Sequence, residues 1–161
     1  MRADSFEFWR RYLLVVSALF AVQGASWVLM GSFDPFGFYT GLLARSFWGT
    51  ARLTPEAQKV FSFTVGPLGA TVAGYFLMVH MLARFALPRR EAWAYWTIVG
   101  ALLLWFILDS AASLFHGMLA NVLIVNIPCL IIMGLPLLAL RRAFPLKRTL
   151  PHTHSYSNEP Q

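Results

Sequence analysis

Asp109, Ser113 and His116 carry acid, hydroxyl and imidazole side chains within the run LDSAASLFHG. Their offsets of four and seven residues put all three on one face of a helix. A serine hydrolase needs the acid to hold the histidine and the histidine to hold the serine. On a single helix Asp109 and His116 stand ~10 Å apart along the axis, so that relay is excluded. A haem between His80 and His116 fails similarly, because the two imidazoles would lie roughly 25 Å or more apart at opposite ends of their spans. The chain has no phosphate loop and no zinc helix motif. Cys129 is the only cysteine, which excludes an intramolecular disulfide and paired-thiol chemistry. His152 and His154 make two ligands in a polar tail, short of a closed metal site, so no metal or cofactor is expected.

Of seven acidic residues, Asp109 alone falls inside a long apolar stretch. An ionisable side chain there costs ~2.5–3.5 kcal/mol on insertion scales, and something must offset that cost. Asp109 is therefore expected to be paired, with Ser113 one turn away as a partner, on a face turned into the protein or a water-filled cavity. At ~1.5 Å per residue, Gln23, Pro67, Asp109 and Asn126 come out at one level, roughly 10 Å below the outer surface. Pro67 and Pro128 free the carbonyls of Phe63 and Ile124 in that same outer half, which predicts kinks there. The resulting expectation is a polar pocket open to the outer side, lined by Gln23, Ser26, Asp109, Ser113, His116 and Asn121. The competing explanation is structural, since Ser, Asn and Gln also join packed helices and His116 beside Gly117 can cap a hairpin. Asn121 and Asn126 lie about 140° apart on an ideal helix, so both are not expected to face one pocket squarely.

These residues must be positioned by membrane helices. The 161-residue chain is 58% hydrophobic and 12% charged, against about a quarter charged in soluble domains. Residues 12–30, 60–83, 92–115 and 118–140 are each near the ~20 residues a bilayer requires. A cleaved signal in place of the first span is disfavoured by Asp4 and Glu7 in what would be its basic region. The predicted fold class is all-α, an integral membrane four-helix bundle over residues 1–144, followed by a disordered cytoplasmic tail at 145–161.

The net charge of +6 sits at the span edges, pointing to anionic lipid headgroups and away from nucleic acid. Arg2, Arg10, Arg11, Arg84, Arg89, Arg90, Arg141, Arg142, Lys147 and Arg148 fall on one side, and Arg45, Arg52 and Lys59 on the other. That asymmetry predicts both termini in the cytoplasm, and the compact chain without a glycosylation-style loop suggests a bacterial inner membrane. The first outer loop should hold an amphipathic interfacial helix, opened by Asp34 and Pro35, with Phe36, Tyr39, Leu43 and Phe47 at helical spacing and Trp48 in the headgroup layer. Thr54, Pro55 and Glu56 start the second span. On that span Gly66, Ala70 and Gly74, with Gly69 and Ala73 beside them, form a small-residue series for close helix packing, within the chain or in a homo-oligomer or membrane complex.

In architecture alone the small four-span arrangement resembles the loose group of bacterial DoxX-like membrane proteins. No motif carries a site across, so the resemblance implies no activity. The residues favour a non-enzymatic membrane protein that binds a small or lipophilic ligand, or a partner helix, through the outer-half pocket. The alternatives are a proton-coupled transporter acting as a homo-oligomer and, third, a membrane lipid-modifying enzyme.

Overall fold

Long apolar runs can satisfy their backbone groups in hydrocarbon by closing them into helices. The computed structural model describes residues 3–30, 34 and 36–145, which are helical with no strand. Pro35 and the tail histidines His152 and His154 lie outside the described residues. Helix α1 is Ala3–Met30, α2 is Phe38–Trp48, α3 is Pro55–Met81, α4 is Ala92–Phe115, α5 is the single turn Leu119–Asn121, and α6 is Ile127–Leu140. Four helical stretches are long and apolar enough to cross a membrane: Ala3–Met30, Pro55–Arg89, Ala92–Phe115 and Leu119–Ala143. They are the mark of a multi-pass membrane protein. The first two begin earlier than the apolar runs, because helix continues through charged flanks that hydropathy alone does not count.

The starts have local causes. Thr54 accepts the Ala57 amide at 3.3 Å and Pro55 occupies the first turn of α3, as the sequence indicated. At α2 the expectation is corrected: Phe36 is in a turn, 94% exposed, and the helix begins at Phe38 after Gly37 in the left-handed region. Asp34 still organises this start from four residues upstream, one oxygen accepting the Phe38 amide at 2.8 Å and the other the Thr40 amide and hydroxyl. Burial pushes the Asp34 carboxyl up, but the Thr40, Tyr39 and Phe38 donors outweigh it and hold its pKa below the ordinary value.

Proline shapes two of the spans. A π-turn at Leu82–Ala86 ends just before Leu87 and Pro88, and a second at Val122–Asn126 ends just before Ile127 and Pro128. Each widened turn makes room for a ring that would otherwise meet the carbonyl four residues back. Pro67, by contrast, lies inside α3 without any change of helix type.

The tightest packing joins α1 to α3. A Cβ on Gly24 would lie 2.6 Å from both the Ala73 nitrogen and the Gly69 oxygen, and one on Gly69 would lie 2.5 Å from the Gly24 oxygen. Backbone therefore meets backbone at this crossing. The expected small-residue series needs correcting, because Gly69 and Ala73 carry the contact while Gly66 and Gly74 face open space. The partner helix lies within the chain. Helix α6 packs on α1 and on α4, whereas the second and third spans meet through the connecting turns Leu82–Arg89.

The buried apolar core draws on all four spans toward the arginine-rich end. There the Arg90 guanidinium lies 3.4 Å from the Phe6 ring centroid, Phe6 packs on Phe144, and Phe144 stacks on Tyr95 at 4.9 Å. The Tyr95 hydroxyl donates to the Leu137 carbonyl at 2.9 Å. The Arg141 amide turns back to Leu138 instead, which leaves the Leu137 oxygen for that bond. Phe6 and Phe144 thus bring the start of the first span and the end of the fourth to one end of the protein.

Candidate functional site

The third and fourth spans are joined by a hairpin whose geometry sets the site. Gly117 adopts φ 72°, its amide bonds the Leu114 carbonyl, and the Met118 amide bonds the Ser113 carbonyl at 2.7 Å. This glycine cap stops α4 within two residues and returns the chain antiparallel. Asn121, one turn into the returning strand of the hairpin, then lies beside Asp109 and Ser113.

Asn121 is the hub. Its Nδ2 donates to Asp109 Oδ2 at 3.1 Å and to Ser113 Oγ at 2.8 Å, and its Oδ1 accepts the Tyr39 hydroxyl at 2.9 Å. Both amide hydrogens are thereby used, so the side chain is fixed in one orientation. Among the described residues no hydrogen bond within the protein reaches Asp109 Oδ1, and Asp109 is only half-buried. The site therefore presents one clamped carboxylate oxygen and one that is free to accept. Tyr39 arrives from α2, with its ring 6.4 Å from that of Phe61 on α3. Burial, and then the charge of Asp109, push the Tyr39 phenol above its ordinary pKa, which keeps it a donor.

Of the six residues expected to line a pocket, the structure brings together Asp109, Ser113 and Asn121. Gln23 is exposed on α1, and Ser26 turns its hydroxyl back onto the Gln23 carbonyl at 2.7 Å. Neither is hydrogen-bonded to the Asp109 group. Depth along a helix matched Gln23 to Asp109, but depth carries no information about which side of α1 a residue occupies. His116 is the C-cap of α4, exposed, with its ring edge-on to Phe115. The helix ends at that residue, so the face shared by Asp109 and Ser113 does not extend to it.

Tyr39 is the residue that sequence reasoning placed on the loop helix and not in the site. No local signal on α2 marks it, because its partner Asn121 lies 82 residues along the chain. A second group lies deeper, where Asn126 Nδ2 donates to Ser110 Oγ at 3.0 Å, with Asn126 fully buried and its Oδ1 without a partner. Asn121 and Asn126 thus reach α4 at different residues, in two separate groups and not in one pocket.

No family model matches this chain. No curated protein and no solved structure matches it either. The site must therefore be read from its own chemistry. Ser113 Oγ accepts from an amide and is not paired with a base, as an attacking hydroxyl would be. Among the described residues no three His, Cys, Asp or Glu side chains come close enough to share a metal. Toward the arginine-rich end, His80 Nδ1 stands 3.1 Å from the Leu14 carbonyl and 3.3 Å from Ser17 Oγ. A carbonyl can only accept, so Nδ1 carries the proton and the ring ties α3 to α1.

Proposed function

We propose that this chain is a non-enzymatic bundle of four membrane spans, with both termini on the cytoplasmic side of a bacterial inner membrane. It binds a small lipophilic ligand through Asp109 in the outer half of the bilayer. The observation that carries this reading is the division of the Asp109 carboxylate. One oxygen is fixed by Asn121 while the other is left to accept, in a half-buried position where an unmet acceptor is costly. The matching ligand has an apolar body and a cationic or hydrogen-bond-donating head. Helix α2 lies in the outer interface over this site, with Tyr39 as its latch and Trp48 at headgroup level. The excess of arginine at the end shared by Phe6 and Phe144 supports the orientation.

Binding is favoured over transport by the packing beneath the site. The Gly24–Gly69 crossing, the Phe20–Phe76 stack at 4.6 Å and the aromatic closure around Phe144 favour access from one side. Purification in mild detergent followed by mass spectrometry of extracted small molecules tests the reading. A co-purifying ligand should be retained by the parent and lost from Asp109→Asn. Proton-driven substrate uptake into liposomes, abolished by the same substitution, would replace binding by transport.

A further inference from the structure

An open cavity of about 320 Å³ lies at the arginine-rich end between the second and third spans. On α4 its Trp93 stands roughly 24 Å from Asp109 along the helix, so this is not the outer site. The cavity forms where the π-turn Leu82–Ala86 widens the second span and the two spans diverge from their connecting turn. Met78, Met81, Leu82 and Phe85 make an apolar wall, and Met78, Met81 and Phe85 are each close to half-exposed on the span surface. A volume near the lower end for ligand pockets suits one segment of an acyl chain and not a whole lipid.

The polar mouth is made by Arg89, Glu91 and Trp93. Trp93 Nε1 donates to Glu91 Oε2 at 2.6 Å and so aims the carboxylate, which makes no cap bond to its own helix. Arg89 Nη1 stands 3.8 Å from Glu91 Oε1, too far for a hydrogen bond, and Arg89 makes no other hydrogen bond among the described residues. The mouth therefore offers a largely exposed guanidinium and a carboxylate oxygen side by side, in a loose ion pair with no hydrogen bond between them and no net charge. A phosphodiester fits the first and an ammonium the second. We propose that this cavity binds a phospholipid with an ethanolamine headgroup, its phosphate on Arg89, its ammonium on Glu91 Oε1 and one acyl chain against the methionine and phenylalanine wall. A purely anionic headgroup would leave Glu91 facing like charge. A choline headgroup has no N–H to donate.

Native mass spectrometry of the purified full chain, given equal amounts of phosphatidylethanolamine, phosphatidylcholine and phosphatidylglycerol with identical acyl chains, tests this. Phosphatidylethanolamine should be retained about tenfold over the other two, the order expected of one charge-assisted hydrogen bond. Glu91→Gln should reduce it to the phosphatidylcholine level, and Arg89→Gln should weaken both alike. Equal retention of all three, a preference for phosphatidylglycerol, or an ethanolamine preference that survives Glu91→Gln would overturn the proposal. Should Glu91→Gln fail to fold, successive N-methylation of the headgroup makes the same test on the parent protein. Retention should fall as N–H groups are lost, and a flat series contradicts the assignment.

Discussion

Gly24→Ala and Gly69→Ala should each destabilise the protein by about 3 kcal/mol, while Gly66→Ala and Gly74→Ala should leave it unchanged or up to about 1 kcal/mol more stable. The contrast follows from where the added methyl would sit. At Gly24 it would meet the Ala73 nitrogen and the Gly69 oxygen at 2.6 Å. At Gly69 it would meet the Gly24 oxygen at 2.5 Å and the Trp27 Cβ at 2.7 Å. Most of those atoms are backbone, which cannot swing aside as a long side chain can, so α1 and α3 must separate along the crossing. That separation weakens dispersion contacts along both helices, and lipid tails give no hydrophobic force to restore them. At Gly66 and Gly74 the methyl meets nothing within 4 Å. The alanine helix preference then acts alone. Denaturation in mixed micelles reads all four substitutions. Loss of stability in Gly66→Ala would mean that this face is covered by a second copy of the chain, and an undisturbed Gly24→Ala would contradict the close crossing.

The second large effect is expected at Asn121. Asn121→Leu fills similar space but removes the partner of Asp109, Ser113 and Tyr39 together. Interhelical hydrogen bonds in membranes contribute ~0.6 kcal/mol on average and at most ~1.7 kcal/mol each, so losing three costs about 2 kcal/mol or more. Tyr39→Phe removes one of the three and should cost about 1 kcal/mol. The double substitution should cost little more than Asn121→Leu alone, because the Tyr39 bond is already gone. Additive losses would show that the tyrosine acts elsewhere. Hydrogen exchange in α2 gives a second reading, since both substitutions release the latch and should speed exchange there to the same degree.

What the sequence made legible follows from the range of each interaction. The four spans were readable because apolar length is a local property, and so was the shared face of Asp109 and Ser113, one turn apart on one helix, although both bond Asn121 and not each other. Asn121 was readable because a hairpin only a few residues long fixes which residues of two spans lie level. Gln23 was matched to Asp109 by height alone, and neither it nor Ser26 joins the Asp109 group, since rise per residue fixes height and not azimuth. The same ambiguity hid which small residues of α3 meet α1. Gly69 and Ala73 differ from Gly66 and Gly74 only in direction around the helix. Tyr39 escaped because its partner lies 82 residues along the chain, and nothing local to α2 points to it.

The central claim is that Asp109 faces a site reached from the outer side of the membrane. It is tested most directly by Asp109→Cys in a Cys129→Ala background, probed with a membrane-impermeant thiol reagent on right-side-out and inside-out vesicles. Labelling should occur from the outer side only, and should quicken when Tyr39→Phe releases α2. Labelling from the arginine-rich side, or none from either side even with α2 released, would contradict the account.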